Sequence, residues 1–202
     1  MRKLYATATA NAQELGALAE EKGALLWKAA NMINQGGVWA LSGKASKAIQ
    51  VITSGVTAYQ STGATIHLPW YLSYLATAYI ELGRFDDARR CIGEALAAVE
   101  ATKEKWCDAE VNRIAGEIAL KSPHPDAAKA EPYFERALVI ARQQQAKSWE
   151  LRAAMSMARL WRDQGKPQQA RELLAPVYGW FTEGFDTLDL KDAKALLEEL
   201  AA

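Results

Sequence analysis

Residues 72–99 hold the sequence feature that most constrains the fold, two amphipathic patterns joined at Gly83. Apolar and small residues recur at the 3.6-residue helical period on both sides of this glycine. Gly83 can end the first helix in the left-handed conformation at no steric cost. The segment therefore predicts two helices packed against each other. The two stripes are formed by Leu72, Leu75, Ala76, Tyr79, Phe85, Ala88, Ile92, Ala95 and Leu96.

These positions resemble the tetratricopeptide repeat, or TPR. The family pattern is a bulky residue, Leu, a small residue, Tyr, Gly, Ala, a bulky residue and Ala at fixed spacing. The resemblance implies an all-α fold, a TPR-like superhelical solenoid of antiparallel helix pairs that a C-terminal helix caps. It does not name a function, because one fold serves many partners. The eight matching residues are Leu72, Leu75, Ala76, Tyr79, Gly83, Ala88, Ile92 and Ala95.

The same register recurs along the chain and predicts a single TPR-like domain over residues 1–202. The framework alanines Ala48, Ala88, Ala130 and Ala170 are 40, 42 and 40 residues apart, against a usual TPR period of about 34. We interpret the segment SPHPD as lengthening the turn of the third repeat by about three residues. The predicted parts are a partial leading repeat at 7–22, repeats at 24–59, 70–99, 106–145 and 148–181, and a capping helix at 188–201.

Two glycines interrupt the first helix of the first full repeat. Gly36 and Gly37 each cost about 1 kcal/mol against alanine inside a helix. They indicate either a close backbone approach or a locally weak helix.

The long period and the C-terminal part of the chain resemble the repeat region of large bacterial signalling proteins. Those proteins join a class III adenylate or guanylate cyclase domain, or a DNA-binding domain, to a signal-transducing ATPase and then to TPR-like repeats. The resemblance covers residues 7–200 and is strongest in 130–200. It implies a regulatory, partner-sensing module. The chain carries neither the cyclase nor the ATPase domain, so neither activity is transferred to it.

Composition excludes several classes of partner. The formal net charge is zero and the pI is about 6.8, whereas binders of nucleic acid or membrane surfaces usually carry a basic excess. No apolar run approaches the ~20 residues that span a bilayer, and no apolar segment follows the charged N-terminus. We therefore expect a cytoplasmic protein with no nucleic-acid or membrane partner, and we expect Cys91 and Cys107 to be reduced packing thiols.

The sequence offers no arrangement that predicts catalysis, a metal site or a cofactor. The segment 37–45 departs from a P-loop, because five residues separate its glycines and Ala45 follows Lys44. His67 and His124 lie near prolines, without the spacing of metal ligands. We therefore expect a protein that is not an enzyme.

In TPR folds the first helix of each pair lines a concave groove, and the resemblance implies a groove here. Arg152 and Arg159 are seven residues apart and align along one helix face, with Arg162 beside Arg159. Guanidinium groups so placed match the carboxylates of an acidic segment. The predicted groove residues are Trp70, Ser73, Thr77, Asn112, Arg152, Met155, Arg159 and Arg162, with Met155 and Trp70 as apolar anchors.

Two alternatives to this groove remain open. The arginines can instead form a solvated or internally paired face, with Glu150 and Asp163 as partners. The predicted function is a non-catalytic interaction or scaffold module that binds a protein or peptide, with an acidic segment as the candidate. The alternative function is a small-ligand sensor of a cyclase or ATPase regulator, with Trp39, Trp70 and Tyr79 lining a closed pocket.

Overall fold

The computed structural model describes the backbone of residues 2–201 and the side chains of residues 7–201. Those residues form ten α-helices and no strand. Their contacts divide the chain into two compact units, residues 1–105 (unit 1) and residues 106–202 (unit 2).

Unit 1 is built from two helix pairs and a leading helix. The second helix pairs with the third and the fourth with the fifth, while the first packs on the second. The fourth helix also packs on the second and third, which joins the two pairs. The helices are α1 (Arg2–Glu21), α2 (Leu25–Leu41), α3 (Ala45–Ser61), α4 (Leu68–Glu81) and α5 (Phe85–Thr102).

Unit 2 repeats this plan with a trailing helix. Its first two helices form one pair and its next two form another. The last helix buries Leu190, Ala193 and Leu196, together with Leu200 directly after it, and packs on the second pair. The helices are α6 (Asp108–Lys121), α7 (Ala127–Gln143), α8 (Lys147–Asp163), α9 (Pro167–Gly179) and α10 (Leu188–Glu199).

The turns inside three of the helix pairs share one backbone conformation and one hydrogen-bond pattern. Gly43, Gly83 and Gly165 have φ values of 78°, 68° and 74°, the left-handed region that glycine occupies without strain. The next residue's N–H then donates to a carbonyl five positions earlier. These bonds run from Lys44 to Trp39 at 2.9 Å, from Arg84 to Tyr79 at 2.9 Å and from Lys166 to Trp161 at 2.8 Å. The helix-ending role predicted for Gly83 is confirmed, and Gly43 and Gly165 end their helices in the same way.

The turn between α6 and α7 is two residues longer. The equivalent bond joins the N–H of Asp126 to the carbonyl of Ala119 at 3.0 Å, seven positions apart instead of five. The sequence interpretation assumed about three extra residues. Because the turn has only two extra residues, the small residue of α6 that faces its partner helix α7 is Gly116. The Phe134 ring lies against it.

Glycines in the middle of α2 and α3 allow these helices to approach closely. A Cβ on Gly36 would overlap Ile52, and one on Gly55 would lie 2.7 Å from Cγ1 of Ile33. Gly37 faces α4, where a Cβ would lie 3.0 Å from Cδ2 of Tyr74. Of the two alternatives for Gly36 and Gly37, the structure therefore shows close approach.

Candidate interaction face

The α6/α8 face is the surface of unit 2 that corresponds to the predicted groove side of α4. Its members occupy the positions of Trp70, Ser73 and Thr77 once the two-residue insertion is counted. They are Glu110, Arg113 and Glu117 on α6, and Arg152, Met155 and Arg159 on α8.

Glu110 bonds to two arginines of this face. Its carboxylate accepts from Nε of Arg113 at 2.8 Å and from Nη2 of the same side chain at 2.9 Å. It also accepts from Nη1 of Arg152 at 3.2 Å, across from α8. The Glu110 side chain is only 5% exposed, so its charge is compensated by the two guanidinium groups.

Glu117 links α6 to α8 about two turns after Glu110. Its carboxylate accepts from Oγ of Ser156 at 2.7 Å and from Nη1 of Arg113 at 3.4 Å, and it pairs with Lys121 at 3.1 Å. Burial alone would raise the pKa of Glu117, but the positive charges of Arg113 and Lys121 and the Ser156 hydroxyl outweigh burial and lower it. Burial alone would lower the pKa of Arg113, yet Glu110 and Glu117 hold it raised.

Arg152 is paired on both sides. Its Nε donates to Oδ2 of Asp189 on α10 at 2.7 Å, and its Nη1 donates to Glu110. Burial opposes the charge of Arg152, but Glu110 and Asp189 more than compensate and raise its pKa. This arginine is an internal link of unit 2.

Arg162 is paired in the same manner. Its Nε donates to Oδ1 of Asp163 at 2.9 Å and its Nη1 to Oε2 of Glu199 on α10 at 2.7 Å. The hydrogen bond to Asp163 is the main reason that the pKa of Arg162 is raised. Asp163 is thus the partner named in the internal-pairing alternative, and Glu199 is an additional one.

Arg159 differs from both neighbouring arginines. Its guanidinium makes no hydrogen bond or ion pair with residues 7–201. Its side chain is partly buried. Of the three predicted groove arginines, it is the one whose charge the described residues leave uncompensated.

Two predicted groove residues of unit 2 are buried. Asn112 is 1% exposed, and its amide nitrogen donates to the carbonyl of Asp108 at 2.8 Å and to its Oδ1 at 2.7 Å. The insertion of two residues moves Asn112 to a framework position of α6, which explains its burial. Met155 is also buried, in the core of unit 2, so it offers no exposed anchor.

The predicted residues of unit 1 lie together on α4. Trp70 is half-buried, with its ring 4.9 Å from that of Tyr74. Ser73 is buried and donates to the carbonyl of Trp70 at 2.7 Å, and Thr77 donates to the carbonyl of Ser73 at 2.9 Å. The two hydroxyls are thus satisfied within their own helix.

The aromatic residues suggested for a sensor pocket each have a different neighbour. The ammonium of Lys47 lies 4.1 Å from the Trp39 ring centroid, and the guanidinium of Arg84 lies 4.7 Å from that of Tyr79. Trp70 packs on Tyr74.

Neither cysteine in the described part of the chain forms a disulfide. Cys91 and Cys107 are buried thiols, and burial raises the pKa of Cys91 to about 11. Among residues 7–201 no group of three or more His, Cys, Asp or Glu side chains is placed to hold a metal ion. None of the helices described is both long and apolar enough to cross a membrane.

Two of the helix pairs match a known protein family. The family model for the tetratricopeptide repeat matches residues 69–94 and 151–176, which cover most of the α4/α5 and α8/α9 pairs. The chain carries a TPR-like domain. Repeats of this family generally mediate protein–protein interaction and are typically non-catalytic scaffolds.

A solved structure has the same fold along the chain. The crystal structure of BtubC (BKLC) from P. vanneervenii aligns with a TM-score of 0.69 and 15% identity, covering 99% of this chain and 89% of that one. The predicted fold class, an all-α TPR-like solenoid of antiparallel pairs, is confirmed. No curated protein sequence matches the chain.

Sequence reasoning missed the α6 side of this face. Glu110, Arg113 and Glu117 were not predicted, because the turn insertion was counted as about three residues. The framework alanines already carried the signal: a spacing of 42 between two spacings of 40 implies two extra residues. Applying that number to α6 would have placed the three side chains on the same face as Arg152 and Arg159.

Proposed function

We propose that this chain is a protein–protein interaction module whose α6/α8 face binds an acidic segment of a protein partner. The observation that carries the proposal is Arg159, a half-buried guanidinium that has no partner among residues 7–201 and lies between two arginines that have one. A guanidinium presents its donors in a planar fork that matches a carboxylate. A carboxylate from outside the chain is therefore the natural complement of this position.

The rest of the α6/α8 face is already neutralised by its own ion pairs. Partner recognition there depends on the single charge of Arg159 more than on a broad basic field. One partly exposed ion pair contributes about 0–1 kcal/mol. Arg159 accordingly sets register and orientation, and surrounding neutral contacts must supply most of the affinity.

The resemblance of residues 130–200 to repeat regions of bacterial cyclase and ATPase regulators supports a more specific setting. We place the module in a regulatory protein of bacterial signalling, acting in the cytoplasm. Its partner would be another domain or subunit of the same assembly, consistent with the interactions that TPR repeats generally mediate.

The test is binding of a fluorescein-labelled, amidated hexaglutamate peptide, with hexaglutamine as the uncharged comparison. Fluorescence anisotropy would be measured for wild type, Arg159→Ala and Arg171→Ala. Arg171 is an exposed arginine on α9 that lies off the face. We expect Arg159→Ala to weaken hexaglutamate binding about 2- to 5-fold, as loss of one exposed pair does, and Arg171→Ala to leave it unchanged. Equal weakening by both variants, or equal binding of the two peptides, would contradict the proposal.

A further inference from the structure

The arginines on either side of Arg159 are both held by the capping helix. Arg152 donates to Asp189 and Arg162 donates to Glu199, each at 2.7 Å. In both pairs the two residues are 37 positions apart, so α8 and α10 run side by side in the same direction. Each arginine also keeps a second carboxylate from α6 or from α8 itself.

We propose that α10 is an internal competitor of the acidic partner, with Asp189 and Glu199 occupying the arginines that the partner's carboxylates would otherwise bind. This inference rests on the proposed function and adds its regulation. The apolar side of α10 stays packed on α8 and α9, and only its carboxylates exchange with those of the partner.

The spacing of Asp189 and Glu199 indicates how the carboxylates of a matching partner are spaced. Asp189 and Glu199 are ten residues apart on one helix, which is about 15 Å at 1.5 Å per residue. Arg152 and Arg162 have the same separation on α8. A matching partner is an acidic segment that presents two carboxylates about 15 Å apart, with a third between them for Arg159, about 10 Å from the carboxylate that binds Arg152.

The ion pairs with α10 are accessible enough to exchange. The side chains of Arg152 and Arg162 are each 37% exposed, and those of Asp189 and Glu199 are 32% and 58% exposed. Ion pairs that water reaches are weak, so replacing one carboxylate by another costs little. The arginines bind the carboxylates of α10 in preference to those of a partner, because a carboxylate held in the same chain has a high effective concentration.

The test compares two double variants of the full chain that remove the same charge. Asp189→Asn/Glu199→Gln removes the two competing carboxylates, whereas Asp192→Asn/Glu198→Gln removes two exposed carboxylates of α10 that contact neither arginine. We expect the first variant to bind hexaglutamate about 3- to 30-fold more tightly than wild type, as expected for two released surface pairs. The control variant should stay within about 2-fold, because screening weakens charges at a distance.

A second measurement reports on the arginines without any peptide. Phenylglyoxal modifies accessible guanidinium groups, and mass spectrometry gives the rate at each site. In wild type Arg159 should react faster than Arg152 and Arg162, and in Asp189→Asn/Glu199→Gln the latter two should accelerate several-fold. Circular dichroism and a thermal melt would check that these isosteric amides leave the helices folded.

The outcomes separate the two proposals. Wild-type binding through Arg159, with no tighter binding and no faster modification in Asp189→Asn/Glu199→Gln, would overturn the competitor role and leave the proposed function standing. Peptide binding by neither protein would overturn the proposed function, and the competitor role with it. Tight binding only in the variant would support both, with α10 closing the face in the resting chain.

Discussion

A Cβ on Gly116 would lie 2.7 Å from Cδ1 of Phe134, so the ring occupies the space that a larger residue at this position would need. Both residues are in the interior of unit 2, and Phe134 is fully buried. The contact fixes how closely α6 approaches α7. Glu117, the next residue along α6, faces α8 instead and accepts a hydrogen bond from Ser156.

The first prediction concerns this contact. Gly116→Ala should destabilise the protein by about 1–3 kcal/mol, because overpacking forces the ring or the helix to move. Gly93 is the control, since it is an exposed glycine of α5 and no neighbouring atom lies within 4 Å of where its Cβ would be. Gly93→Ala should stabilise by about 0.5–1 kcal/mol through helix propensity. Urea unfolding of both variants checks the sign of each change, and equal changes would contradict the close approach.

The second prediction concerns pH. Because the pKa of Glu117 is lowered in the fold, its stabilising effect is complete above the ordinary glutamate pKa of about 4.5 and is lost as pH falls through the lowered value. Glu117→Gln should therefore be less stable than wild type at pH 7, by about 1–3 kcal/mol, and should lose less stability between about pH 5 and pH 3. If the free energy of unfolding changed equally with pH in the two proteins, Glu117 would not contribute to the pH dependence of stability.

The control for Glu117 is Glu198→Gln. Glu198 is an exposed residue of α10, 3.9 Å from Lys194. Its substitution should change the free energy of unfolding by no more than about 0.5 kcal/mol.

The third prediction tests the capping role of α10. Leu196 is buried against α8 and α9, so Leu196→Ala should cost about 2–5 kcal/mol by leaving a cavity. Leu188 begins the same helix and is exposed, so Leu188→Ala should cost less than about 0.5 kcal/mol. Thermal melts give the melting temperatures of the two variants and of wild type. A melting temperature as high in Leu196→Ala as in Leu188→Ala would mean that α10 does not support unit 2.

The fourth prediction concerns the framework alanines. Ala88 is fully buried between α4 and α5, so Ala88→Leu should destabilise by about 1–3 kcal/mol. Ala97 lies on the exposed side of the same helix, and Ala97→Leu should stay within about 0.5 kcal/mol of wild type. Chemical denaturation distinguishes the two, and similar midpoints would contradict the packing of Ala88.

The helix pairs were predictable because their signals are local. Gly43, Gly83 and Gly165 each end a helix, and the sequence alone can indicate such a position, since a left-handed turn favours glycine in any context. The α6/α7 turn carries no glycine, so nothing in it marked the exact length of the insertion. An error of one residue rotates a helix position by about 100°, which is enough to exchange the paired Arg113 for the buried Asn112.

The ion pairs were less predictable because they join distant residues. Asp163 lies beside Arg162 and could be named from the sequence, whereas Glu199 follows 37 positions later. Glu150, also named as a partner of the groove arginines, bonds instead to Lys147 at 2.7 Å and to Arg142 at 2.9 Å. The Lys147–Glu150 pair has the local i, i+3 spacing, whereas the pairs of Arg152 and Arg162 with α10 depend on how the helices of unit 2 pack.

The longer turn between α6 and α7 has a practical consequence for work on this protein. Residues 123–126 are exposed, and this pair keeps its helix contacts although its turn is two residues longer than the others. A turn that absorbs extra length in this way tolerates foreign sequence. An epitope or a fluorophore-attachment site grafted at residues 123–125 would therefore report on unit 2 while leaving the α6/α8 face untouched.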